Sequence, residues 1–130
     1  MLTSAVVTAN IPAADIARAR AFYADTLGLT PVAEYGDAAM LVYRTDGGTT
    51  FSVYQTQFAG QAGHTIAQWH VADVATEAAA LRDKGVTFEV YDMPAVEWDD
   101  GVATLPGMGK AAWFKDSEGN IRVRLVWSEC

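Results

Sequence analysis

Ala9-Asn10-Ile11-Pro12-Ala13-Ala14-Asp15-Ile16-Ala17 returns as Ala67-Gln68-Trp69-His70-Val71-Ala72-Asp73-Val74-Ala75, at a constant offset of 58 residues. Ala9, Ala14, Asp15 and Ala17 meet identical partners, and the match runs on through Ala21/Ala79 and Asp25/Asp83. After a one-residue deletion, Gly28/Gly85 and Thr30/Thr87 align as well. A duplicated strand-helix-strand unit packs about a pseudo-twofold axis and leaves a groove between its copies. That groove is the first place to look for function.

The elements follow from the repeat. Val6 to Ile11 reads as a strand ending at Pro12. Asp15 caps a helix to about Leu27, and Gly28 takes the C-terminal position that tolerates positive φ. Ile16, Ala19, Phe22, Tyr23 and Leu27 recur at spacings of three and four, one apolar stripe. Strands at Thr30 to Tyr35, Ala39 to Arg44 and Thr50 to Gln55 are separated by the turn signals Gly36-Asp37 and Asp46-Gly47-Gly48. The unit is therefore β-α-β-β-β. The connector Ala59-Gly60-Gln61-Ala62-Gly63 sets one module at 1–58 and the other at 64–130. The second repeats the order with a strand at Thr65 to Val71, a helix from Asp73 to about Lys84 and a strand at Val86 to Val90. Residues Tyr91 to Gly109, with Pro94, Pro106 and the acids Asp92, Glu97, Asp99 and Asp100, are expected to be irregular, either a binding lid or disordered. Lys110 to Lys115 and Ile121 to Trp127 complete the module around the turn Asp116-Ser117-Glu118-Gly119-Asn120.

At 130 residues, 51% hydrophobic and 19% charged, the chain fits one globular domain with an ordinary core. It has no apolar run long enough for a membrane span, and its N-terminus lacks a basic segment, so a cytoplasmic location is expected. Cys130 is the only cysteine, so no internal disulfide and no thiolate metal cage can form. The net charge of −7 makes nucleic acid an unfavourable partner. Lys110, Lys115, Arg122 and Arg124 nevertheless concentrate basic charge near the C-terminus, enough to hold a small anion.

The run Ala14-Asp15-Ile16-Ala17-Arg18-Ala19-Arg20-Ala21-Phe22-Tyr23-Ala24-Asp25-Thr26-Leu27-Gly28-Leu29 resembles the strand-to-helix signature of the vicinal oxygen chelate superfamily. That superfamily includes glyoxalase I, extradiol dioxygenases and the bleomycin and fosfomycin resistance proteins. Trp113-Phe114-Lys115-Asp116-Ser117-Glu118-Gly119-Asn120 is similar to its closing turn. The resemblance covers essentially the whole chain and implies an α+β fold. Two tandem βαβββ modules would form a curved mixed sheet around a small-molecule cavity, often in a homodimer.

Enzymes of this superfamily hold a divalent metal through His, Gln or Glu on the first and last strands of each module. By the resemblance those positions fall on Thr8, Ile66, Ser52 and Val123, none a good ligand for a divalent ion. No cofactor is therefore expected. His64 and His70 lie about 20 Å apart along an extended strand and cannot share a metal. The alternative is a metal-dependent glyoxalase-type lyase, isomerase or dioxygenase whose ligands lie elsewhere, with Glu97, Glu34, His64 and Glu89 the first places to look.

Strand parity nominates ligand-binding groups. Ile121, Val123, Leu125 and Trp127 alternate with Arg122 and Arg124. If the apolar set packs under the helices, both arginines enter the concave face and can clamp a carboxylate or phosphate. That placement needs a one-residue shift from the superfamily's register. Otherwise they sit on an exposed or dimer-facing edge. Asn10 and Gln68 occupy equivalent positions in the repeat and suit a polar uncharged group. Thr8, Ser52 and Tyr54 add hydroxyls on the same face, and His64 shares its parity with Gln68. Trp98 and Met108 are apolar side chains in a loop, which need something to cover, either the cavity or a second subunit. Trp69 and Trp113 read as core, and Asp15 and Asp73 as helix caps. The leading expectation is a metal-free protein binding a small organic, possibly anionic, molecule. A third reading is a dimeric protein-interaction module.

Overall fold

The computed structural model describes residues 2–37, 39–107 and 109–119, and the backbone of the final strand at 123–127. In chain order its elements are β1 (Ala9–Ala13), α1 (Ile16–Asp25), β2 (Ala33–Tyr35), β3 (Met40–Arg44) and β4 (Thr50–Gln55). They continue with β5 (Ala67–Val71), α2 (Val74–Asp83), β6 (Phe88–Glu89), β7 (Glu97–Asp99), β8 (Val102–Leu105), β9 (Gly109–Phe114) and β10 (Val123–Trp127). The α+β fold is a pair of mixed sheets ordered β1-β4-β3-β2 and β5-β10-β9-β8-β7, with β6 on the same side of β9 as β8. β1 runs parallel to β4 and β5 parallel to β10, because a helical crossover returns each chain in the same direction. Among the described residues no helix is long and apolar enough to cross a membrane.

The two helices start by the same device. Asp15 and Asp73 are extended, at φ −134° and −139°, and accept hydrogen bonds from the N–H groups of Arg18 and Thr76, each 3.1 Å long. At the end of α1, Gly28 takes φ +72° and the Leu29 N–H donates back to the Tyr23 carbonyl at 2.8 Å. The apolar stripe buries Ala19 and Tyr23 against Ile11, Leu41, Tyr43 and Val53, with Tyr43 and Phe51 stacked across adjacent strands at 5.0 Å. α2 lays Val74 and Ala78 on Val102, Ala112 and Phe114.

Two expectations change. Pro12 lies inside β1 rather than ending it, which is possible because β1 is an edge strand where proline's missing N–H costs no ladder bond. Residues 91–109 are not an irregular loop: 97–105 form the hairpin β7–β8 around Asp100 (φ +51°) and Gly101 (φ +81°). An Asp-Gly pair with both φ positive matches the right-handed strand twist, and this local signal outweighs the prolines and acids around it.

The modules are joined by a polar lock. Asp116 accepts from the Tyr23 hydroxyl at 2.9 Å in a buried site. Glu118, whose side chain is fully buried, accepts from Arg18 Nε and Nη2 at 2.7 and 2.9 Å and from the Asp15 N–H at 2.8 Å. Burial works against its charge, but the Arg18 guanidinium, the Asp15 N–H and the Ser117 hydroxyl outweigh it and hold the carboxyl at about 2. Burial, then the charge of Asp116, pushes the Tyr23 hydroxyl well above its ordinary range.

Because the folded value of Glu118 lies below its ordinary 4.5, the ionised lock stabilises the fold fully above about pH 4.5. That stabilisation is lost as pH falls from there toward about 2. Glu118→Gln should lower unfolding free energy at pH 7 by about 2 kcal/mol, below the usual figure for a buried pair because Arg18 is half exposed. Chemical denaturation from pH 7 to pH 3 should also show a shallower acid limb in the variant, and parallel curves would refute the lock.

Candidate ligand-binding site

A groove of about 920 Å³ runs between the first strands of the two repeats. Val7, Ala9 and Ile11 line one side, Gln68, Trp69 and His70 the other, with Phe51 and Thr50 also in the wall. β1 and β5 are terminal strands of their sheets, so the groove lies between two sheet edges. Trp69 closes part of its apolar wall, edge-on to Phe51 at 5.7 Å.

Each sheet has one face under its helix and one open face. On the first sheet, Ile11 and Val53 are register partners on the helix side, so Asn10 and Ser52, the next pair, lie on the open side. Asn10 is exposed and Ser52 is buried. Tyr54 is half-buried opposite Pro12 and Met40, and Thr8 is exposed just ahead of β1. On the second sheet, Gln68 is exposed, and its amide lies within hydrogen-bond reach of His70 Nε2 at 3.3 Å.

β10 settles a question of register. Arg124 pairs with Gln68 on one side and Trp113 on the other, while Val123 pairs with Ala67 and Phe114. Phe114 packs under α2. Arg124 therefore holds a register position on the row of Gln68 and Trp113. Arg122 and Met108, both nominated from the sequence, lie outside the described residues.

The outer half of the same face carries an aromatic wall that sequence reasoning did not anticipate. Trp113 meets Tyr91 at 5.8 Å and Trp98 at 6.0 Å, and Tyr91 meets Trp98 at 6.4 Å. Ala103 and Ala111 are fully buried beneath this cluster, apart from the cores under the helices. The β7–β8 hairpin brings Trp98 there, since Trp98 pairs with Ala103 and Ala103 with Ala111. Trp98 thus covers its own sheet, and Trp113, read as core, is buried in a small core of its own with Ala103 and Ala111. Asp100-Gly101 between alternating apolar residues was the signal that would have found the hairpin.

The four positions implied for a metal do not suit one. Thr8 and Ser52 offer neutral hydroxyls, Ile66 is aliphatic, and Val123 stands in register with Ala67. The alternative donors are scattered: Glu34 pairs with Arg20, Glu89 with Lys115 at 3.6 Å, and exposed His64 with the carbonyl of Thr65 at 3.1 Å. Glu97 is exposed on the hairpin. Among the described residues no three His, Cys, Asp or Glu side chains gather as a metal site would need.

The model for the Glyoxalase/Bleomycin resistance protein/Dioxygenase superfamily matches residues 5–121, and the chain belongs to that superfamily. No curated protein sequence matches it. Among solved structures it is similar to a bleomycin resistance determinant encoded on the transposon Tn5, at 18% identity and a TM-score of 0.72 over 95% of this chain and 98% of that one. It is also similar to TnmS3, an antibiotic-binding protein from a Streptomyces species, at 21% identity and 0.65 over 99% of each chain. The fosfomycin resistance protein FosX from Listeria monocytogenes, in complex with Mn(II) and 1S,2S-dihydroxypropylphosphonic acid, is similar at 14% identity and 0.66. That match covers 95% of this chain and 89% of FosX. At these identities the likeness establishes the fold.

The aromatic wall depends on the hairpin turn. A Cβ on Gly101 would stand 2.6 Å from the Phe88 Cβ, at a φ that side chains rarely adopt. Gly101→Val should displace the hairpin and flatten the near-ultraviolet circular dichroism of the tryptophans while leaving far-ultraviolet helix signal intact. Trp98→Ala should cost about 2 kcal/mol by chemical denaturation, less than a fully buried tryptophan because Trp98 is half-buried.

Proposed function

We propose that this protein binds a small organic molecule with a flat apolar body and an anionic or polar end, without a metal ion. The observation that carries this reading is a sheet face on which the polar row of Gln68 and Arg124 lies next to the Tyr91, Trp98 and Trp113 cluster, beside a groove that Gln68 and His70 also line. A planar ligand would stack against half-buried Trp98 at the edge of this cluster, while Gln68 and Arg124 take up its polar end. Asn10, Ser52, Tyr54 and Thr8 would supply hydroxyl and amide partners from the first module, residues 1–58, opposite the second, 64–130. The groove volume lies within the about 300–1,000 Å³ usual for small-molecule sites.

Two similar proteins support the ligand class by name, one an antibiotic-binding protein and one a bleomycin resistance determinant. We place the protein in the cytoplasm as a homodimer, in which a second copy closes the half-open sheets over the ligand. The second reading, a metal-dependent enzyme, is favoured by the Mn(II) complex of FosX and opposed by the residues at the four implied positions.

Native mass spectrometry of protein purified without chelator tests both. The expected result is a metal-free dimer that retains or accepts an organic mass. Stoichiometric manganese, zinc, nickel or iron, removed by chelator, would transfer the weight to the enzyme reading. Against a screen of aromatic acids and their amides, Arg124→Gln should weaken the acids at least about tenfold and leave the amides nearly unchanged. Equal loss for both would remove Arg124 from the site.

A further inference from the structure

Behind Trp69 lies a second cleft, of about 440 Å³, on the helix side of the sheets. It shares Thr45, Trp69 and Val71 with the groove and otherwise has its own lining. Its floor is apolar and comes from both modules: Leu27 and Leu29 from the segment after α1, Trp69 from β5, Leu81 from α2 and Phe114 from β9. All five are buried or half-buried.

The rim is charged with both signs. Arg44 ends β3, Asp46 lies in the β3–β4 turn, and Glu77 comes from α2. All three side chains are exposed, and among the described residues none makes an ion pair or side-chain hydrogen bond. Three ionised groups left unused around one apolar floor complement a ligand that carries both charges next to an apolar body. A simple organic anion would face two carboxylates, and a simple organic cation would face the guanidinium. The cleft's volume is at the small end for a ligand site.

We propose that this cleft binds a free hydrophobic α-amino acid as its zwitterion, the side chain on the Trp69–Phe114 floor, the carboxylate at Arg44 and the ammonium at Asp46 and Glu77. Arg44 supplies a planar fork suited to a carboxylate, and the two acids accept from an ammonium's three donors. A resident amino acid would bridge the two modules beside the groove, since its walls come from both.

Isothermal titration with L-phenylalanine, L-leucine, 3-phenylpropionate and phenethylamine tests the assignment, because the last two each lack one charge. Saturable binding of both amino acids is expected, with each single-charge analogue at least about tenfold weaker. In Arg44→Gln, L-phenylalanine should fall to the level of phenethylamine. In the Asp46→Asn, Glu77→Gln double variant it should fall to the level of 3-phenylpropionate. These rim residues are exposed, so the variants keep the fold, which far-ultraviolet circular dichroism checks. Gln68→Ala should leave amino-acid binding unchanged, which separates this cleft from the groove. No saturable binding, equal binding of the analogues, indifference to the rim variants, or loss in Gln68→Ala would each overturn the proposal.

Discussion

Two carboxylates on one turn govern this fold. Asp116 and Glu118 leave water when the turn after β9 docks on α1, and a buried carboxylate without partners is costly enough to oppose folding outright. Tyr23, Arg18 and the Asp15 N–H meet that demand, and all three belong to the helix of the other module. The contact is therefore intolerant of misalignment. A docking displaced by a few ångströms would leave Glu118 dehydrated and unpaired, whereas apolar surfaces alone would accept several nearby arrangements. Phe22 of α1, Leu27 just after it and Trp69 of β5, each packed against both cores, add area to an orientation that the turn selects.

That orientation brings β1 and β5, the equivalent first strands of the repeat, to face each other across the groove. The two copies are not interchangeable. The first sheet stops at four strands and keeps its open face small and polar around Asn10, Ser52 and Tyr54. The second has gained a hairpin whose Trp98 and neighbours cover half of its open face with rings. Duplication supplied a symmetric frame, and the inserted hairpin set an aromatic cluster on one of the two sheets. Sheet faces so unlike suit a ligand with unlike ends.

Much of this was legible in the chain. The Asp15 and Asp73 caps, the stripe through Ala19 and Tyr23 and the positive φ of Gly28 all follow from interactions within four residues. The alternation in β10 likewise set Arg124 on a different row from Val123 and Leu125. The hairpin was missed because Pro94, Pro106 and four acids suggest an irregular segment, and the decisive pair, Asp100-Gly101, is only two residues long. Glu118 was legible as a turn residue but not as the partner of Arg18, which lies 100 residues away in the sequence.

By itself the sequence determined the repeat, the elements and which residues share a strand face, since each depends on local hydrogen bonds or on the two-residue and 3.6-residue periods. Only the tertiary structure decided which faces stay open, that Trp113 stands with Tyr91 and Trp98, and that Gln68, His70 and Arg124 belong to one side. Those outcomes depend on how sheets and helices dock, and docking is selected by burial and by the pairing of distant charges, neither of which leaves a mark at any fixed spacing along the chain.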